Sequence, residues 1–148
     1  MLLSDELRVQ PGTHTIRVLA DGRNLVPCAA GAVIYNAGDR GDCLYAVIEG
    51  SVSLTWDDGR LEETIPAGRC FGVGALVDPE HLRYCTATAT SDARLLLMNR
   101  EQFLLAVQEL PMFAIEMLHD LDERFRALKG RSHGMAVDQQ HAHDQQPG

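Results

Sequence analysis

Three observations predict a mainly β domain followed by C-terminal helices. Between His14 and Met98 the chain is a series of short strand-like runs: HTIRVLA, AVIY, CLYAVI, SVSLTW, RLEETI, RYCTATAT and ARLLLM. Gly31, Gly38, Gly41, Gly50, Gly59 and Gly68 punctuate them, near the spacing of about 8–12 residues that turns take in sandwiches and barrels. At Asn99 the apolar pattern lengthens to the period of a helix.

Taken in order, residues 1–13 form a polar lead-in that passes through Pro11-Gly12. The barrel then occupies about residues 14–98. Within it, Asp57-Asp58-Gly59 between SVSLTW and RLEETI predicts a tight hairpin turn, because Asp-Gly pairs tolerate the positive φ that such turns demand. Asn99, followed three residues later by Gln102, predicts a capped helix start for REQFLLAVQEL. Pro111 interrupts that helix. A second helix follows, on which Ala114, Leu118, Leu121, Phe125 and Leu128 recur at steps of four, three, four and three. Gly130 is expected to stop it, and the Gln- and His-rich residues 131–148 are expected to be a disordered tail.

Composition limits the function classes. The 148 residues make one domain, with 45% hydrophobic and 23% charged residues. The formal charge is −8, and both halves are acidic, so a phosphate backbone would be repelled. No apolar run reaches membrane-spanning length, and Asp5 and Glu6 fall where a signal peptide needs apolar residues. Cys28, Cys43, Cys70 and Cys85 lack C-x-x-C spacing and sit in apolar runs, which predicts buried free thiols and a cytoplasmic location.

Catalytic motifs are missing. There is no H-E-x-x-H, P-loop or G-x-S-x-G. Pro66-Ala67-Gly68 in a β domain suggests a cupin-like metal enzyme, but no histidine lies between His14 and His81. His141 and His143 form an H-x-H pair in the tail, without a shell to orient them. A non-catalytic, metal-free domain with no resident cofactor is the expectation.

The run from Gly38 to Gly50, GDRGDCLYAVIEG, resembles the first signature of cyclic-nucleotide-binding domains, which occur in catabolite-activator-type transcription factors and in regulatory subunits of cAMP-dependent kinase. Gly38, Asp39, Gly41, Asp42, Tyr45, Val47 and Gly50 match it. Phe71-Gly72-Val73-Gly74-Ala75-Leu76, then Arg83-Tyr84-Cys85-Thr86-Ala87-Thr88-Ala89, is similar to the family's phosphate-binding cassette. The capped helix, Pro111 and the long helix complete the likeness over about residues 14–129. It implies a double-stranded β-helix, jelly-roll-like barrel with flanking C-terminal helices and a cavity under the cassette.

The resemblance also implies site residues. Gly72, Gly74, Ala75, Arg83 and Tyr84 take the ligand- and phosphate-binding positions, where backbone N–H groups and a guanidinium fork hold an anion. An arginine ahead of a strand reads equally well as a solvated surface charge, so Arg83 keeps both readings. Val73 stands where the family carries a glutamate that accepts the ribose hydroxyl. A valine cannot accept it, and an unpaired buried hydroxyl costs roughly 1–3 kcal/mol. The expected ligand is therefore an anionic small molecule, nucleotides included, with cAMP and cGMP disfavoured.

The expected function is that of a stand-alone regulatory domain which signals through its C-terminal helices to a protein partner. The competing expectation is a degenerate barrel acting as a ligand-free scaffold or subunit. The family's DNA-reading segment would follow the long helix, and the short polar remainder leads us to expect no direct DNA binding. The stripe Ala114, Leu118, Leu121, Phe125 and Leu128 has the spacing of a coiled-coil seam, and relatives dimerise at this place, so a homodimer is expected. The same stripe could instead cover its own barrel.

Overall fold

The computed structural model describes residues 12–20, 25–56 and 58–144, with side chains described outside 18–20 and 131–144. The chain runs α1 (Gly12–Ala20), β1 (Leu25–Cys28), β2 (Val33–Tyr35), β3 (Cys43–Glu49), β4 (Ser51–Trp56), β5 (Leu61–Pro66), β6 (Cys70–Phe71), α2 (Gly74–Val77), β7 (Thr86–Ala89), β8 (Ala93–Asn99), α3 (Arg100–Glu109) and α4 (Pro111–Asp144). The strands form two four-stranded antiparallel sheets, ordered β1-β8-β3-β6 and β2-β7-β4-β5. They face each other without closing, in jelly-roll-like fashion.

Alternation along β3 and β8 creates two cores, because successive side chains on a strand point to opposite faces. Val47 and Leu95 point between the sheets, where they join Tyr35, Val52, Leu54, Ile65, Phe71, Cys85 and Ala87. Leu44, Ala46, Leu96 and Met98 point the other way, onto Ile16, Leu76, Ala106, Phe113 and Met117 of the helices. Tyr45, two residues before Val47, packs against the same core. The four cysteines are free; three are buried and Cys28 is half-buried.

Local signals are obeyed at both predicted landmarks. Strands β4 and β5 pair from Ser51↔Pro66 to Trp56↔Leu61, and Asp58 and Gly59 both have positive φ in the turn between them. At α3 the capping box is complete. The Gln102 N–H donates to Asn99 Oδ1 at 2.8 Å, and the Asn99 N–H donates to Gln102 Oε1 at 2.9 Å. Pro111 opens α4.

Three expectations are corrected. HTIRVLA is not the first strand but part of α1, and Gly12 and Thr13 already belong to this helix rather than to a lead-in. Residues 1–11 lie outside the described residues. The β-branched Thr13, Thr15 and Ile16 suggest a strand, yet all three are buried while His14 and Arg17 are exposed. Thr13 Oγ1 donates to the Gly68 carbonyl at 2.8 Å, and Thr15 Oγ1 donates to Glu116 Oε2 at 2.7 Å. Tertiary contacts outweigh a propensity difference of under about 1 kcal/mol.

The edge segments Leu25–Cys28 and Cys70–Phe71 are strands that the sequence did not signal; one carries Pro27 and the other is two residues long. Finally, Gly130 does not stop α4, which runs on to Asp144 through the segment expected to be disordered. A glycine inside a helix costs about 1 kcal/mol relative to alanine, which is a weak stop unless it adopts positive φ. The His141/His143 pair lies outside the residues whose side chains are described.

Candidate functional site

The cassette begins where β6 ends. Gly72 has φ +87°, a left-handed turn that breaks the strand and starts the descent into α2. The short helix Gly74–Val77 buries Ala75 and Leu76. After it, Asp78 organises the loop: its carboxylate accepts from the N–H groups of Glu80 and Leu82, both at 3.0 Å. His81 is partly covered at positive φ, and its Nδ1 lies 2.8 Å from the Ala75 carbonyl. This loop returns the chain to Arg83, whose N–H donates to the Asp39 carbonyl at 2.7 Å. Thus the first signature and the cassette are stitched together through the backbone on both sides of Arg83.

Arg83 settles its two readings: it is not a solvated charge. It is only 4% exposed. Its Nη1 donates to the Gly72 carbonyl at 2.7 Å and its Nη2 to the Cys43 carbonyl at 2.6 Å. The guanidinium lies 4.3 Å from the ring centroid of Tyr35 and 5.6 Å from that of Tyr45. Its Nε is buried without a hydrogen-bond partner. Among the described residues no carboxylate lies within ion-pairing distance of it. Burial, followed by the nearby Cys85, raises the Tyr35 phenol far above its ordinary range, against the lowering influence of Arg83. Burial, then the hydrogen bond with Cys43, does the same to Tyr45. Neither phenol supplies a counter-charge at neutral pH.

Glycine at position 41 serves this arginine. Gly41 has no positive φ, so conformational freedom is not what the position requires. A Cβ there would run into Arg83 Nε and come within 2.5 Å of its Cζ and 2.6 Å of its Nη2. By contrast, Gly38 and Gly50 adopt φ of +90° and +83°, as turn glycines should.

All six predicted cassette residues meet around one cavity of about 170 Å³. Gly72, Val73, Gly74, Ala75, Arg83 and Tyr84 line it, together with Tyr35, Leu54, Val77, Cys85, Leu121 and Arg124. Tyr84, 65% exposed, stands at its edge with its ring 6.1 Å from that of Trp56. Val73 also packs against the helix-facing core.

Leu121 and Arg124 come from α4 and are the residues that the cassette motif could not announce. Arg124 is held by Glu63 of β5, with Nε to Oε2 at 2.7 Å and Nη2 to Oε1 at 2.9 Å. Arg69 clamps the same helix through Asp120 and through Glu123 at 2.8 Å. The face of α4 that meets the barrel is therefore Phe113, Glu116, Met117, Asp120 and Arg124. On the predicted stripe, Leu118 and Phe125 are each 63% exposed, while Ala114, Leu121 and Leu128 are half-buried. The stripe does not simply cover its own barrel.

Among the described residues no helix is long and apolar enough to cross a membrane. The family model for the cyclic nucleotide-binding domain matches residues 25–109. The cyclic AMP receptor protein of Thermus thermophilus is 35% identical over 108 residues, covering 70% of this chain and 49% of that protein. Lysophospholipase nte1 of Aspergillus terreus is 34% identical over 115 residues, 71% of this chain and 8% of that protein. The chain thus spans less than half the length of either relative. Among solved structures, the Thermus thermophilus catabolite activator protein superposes with a TM-score of 0.64 at 26% identity, over 83% of this chain and 59% of that one.

Proposed function

This chain belongs to the cyclic nucleotide-binding domain family, and from that premise we propose that it is a non-catalytic regulatory domain whose cavity binds an anionic small molecule through Arg83. The observation that carries this reading is a guanidinium 4% exposed on a cavity wall with no carboxylate partner among the described residues. A buried charge without a counter-charge costs several kcal/mol, and an anionic ligand would supply what the protein does not. Gly72, Gly74, Ala75 and Tyr84 surround the anion. Val73 leaves a ribose hydroxyl without its acceptor, so cAMP and cGMP are poor ligands.

Signal output runs through α4. Leu121 and Arg124 touch the cavity while Leu118 and Phe125 face outward, so a ligand that shifts the helix alters what the outer face presents. That face pairs two copies into a homodimer or meets a protein partner. The domain acts in the cytoplasm, and the acidic charge of −8 argues against nucleic acid as its partner.

A thermal-shift screen of cyclic nucleotides, other nucleotides, small organic acids and sugar phosphates tests the reading, because a ligand of the folded state raises Tm by mass action. An anion that raises Tm in the parent but not in Arg83→Gln supports it. A second reading, a ligand-free subunit, is favoured by the bonds of Arg83 to Gly72 and Cys43, which make it an internal tie. A flat screen, combined with large destabilisation by Arg83→Gln, selects that reading instead.

A further inference from the structure

The cavity wall carries two guanidinium groups, Arg83 from the cassette and Arg124 from α4. Glu63 occupies one edge of Arg124, the Nε–Nη2 side. The remaining nitrogen, Nη1, has only a long 3.4 Å bond to the Cys70 carbonyl. Nη1 and Nη2 each keep a second N–H, so this end can receive a further acceptor, since a guanidinium presents five donors around its rim. Among the described residues Glu63 is the one carboxylate hydrogen-bonded to either cation, with Asp120 lending Arg124 further negative charge.

Size and lining narrow the ligand further. A volume of about 170 Å³ lies below the ~300 Å³ at which pockets begin to enclose drug-sized molecules. It equals the space of about six waters at roughly 30 Å³ each. Besides Tyr35, Tyr84 and Cys85, the lining side chains are Leu54, Val73, Ala75, Val77 and Leu121, which offer an aliphatic stem good contact and a polyhydroxylated sugar no carboxylate acceptor.

We infer that the cavity takes a compact organic diacid in place of a nucleotide, with one acid group on Arg83 and the other on the Nη1–Nη2 end of Arg124. This rests on the anion-binding reading of the same cavity and specifies its ligand class. The second acid group shares Arg124 with Glu63, so it adds to the affinity without dominating it. Because Arg83 belongs to the barrel and Arg124 to α4, such a ligand ties the two together.

Calorimetry on the full chain with malonate, succinate, glutarate, butyrate, inorganic phosphate and cAMP tests the inference. One of the three diacids is expected to bind at least about ten-fold tighter than butyrate, phosphate or cAMP, the value of one charge-assisted hydrogen bond. That preference is expected to vanish in Arg124→Lys, which keeps a point charge for Glu63 but loses the fork. Where that variant does not fold, the pair Glu63→Gln with Arg124→Gln, which buries no charge, takes its place. The inference is overturned if cAMP binds more tightly than every diacid, if butyrate matches the diacids, or if the preference persists in the variants. In those cases the anion-binding reading survives. If the parent binds none of these anions and the wider screen is flat, both fall together.

Discussion

Replacing Gly41 with alanine isolates the tie made by Arg83. The new Cβ would come within 2.5 Å of Arg83 Cζ and 2.6 Å of Nη2. Retreat is blocked, because Nη1 and Nη2 are held by the Gly72 and Cys43 carbonyls and the Tyr35 ring lies 4.3 Å from the guanidinium. Either the guanidinium leaves, forfeiting two charge-assisted bonds at about 1.5–3 kcal/mol each, or the site overpacks at about 1–3 kcal/mol. Partial relaxation brings the expected loss to about 3 kcal/mol, a large share of the ~5–15 kcal/mol of a typical domain. Urea unfolding of the parent, Gly41→Ala, Arg83→Ala and the double variant measures it. With Arg83 truncated, the three atoms that crowd a Cβ at 41 most closely are gone and alanine has no positive φ to adopt, so it should cost little, or stabilise by up to about 1 kcal/mol by restricting the unfolded chain. The two substitutions should therefore be non-additive by about 3 kcal/mol. Additivity within about 0.5 kcal/mol would refute the proposed collision and leave Gly41 without its explanation.

Alkaline pH should weaken the fold. Burial pushes the Cys70 thiol up to about 12, so the folded state keeps a proton that the unfolded thiol releases near ~8.5. Stability is then full below about pH 8.5 and falls as pH rises toward 12. Urea midpoints at pH 8 and 10.5 should show the loss, and Cys70→Ala should lessen it; equal losses would remove Cys70 from the account. Thr15→Val strands the buried Glu116 carboxylate without its 2.7 Å donor and should cost about 1.5–3 kcal/mol. A neutral result in urea unfolding would mean that α1 does not dock on α4 as described. Leu118→Glu should yield a folded monomer from a dimeric parent in sedimentation. Leu118 is a cleaner probe than Leu121, which lines the cavity, and a parent that is monomeric at every concentration ends the homodimer proposal.

Much of this molecule was legible in its residues because the signals are local. Asp58-Gly59 closes a hairpin through its own φ angles, and Asn99 with Gln102 caps a helix by reaching four residues of backbone. The two glycine-bearing signatures carried the family and brought Gly72, Val73, Gly74, Ala75, Arg83 and Tyr84 to one cavity in advance. Other features depended on what lies far away in the chain. Thr13, Thr15 and Ile16 have the side chains of a strand, and the surfaces of Gly68, Cys70 and Glu116 made them a helix. Asp120 and Arg124 look like solvent-facing charges until Arg69 and Glu63 are seen opposite them. Arg83 could be read as a surface charge until the carbonyls of Gly72 and Cys43 surround it. Turns and caps are completed within a few residues, so sequence alone determines them. Whether a charged side chain is buried depends on partners some 11 to 61 positions away, and only the packed chain brings those together.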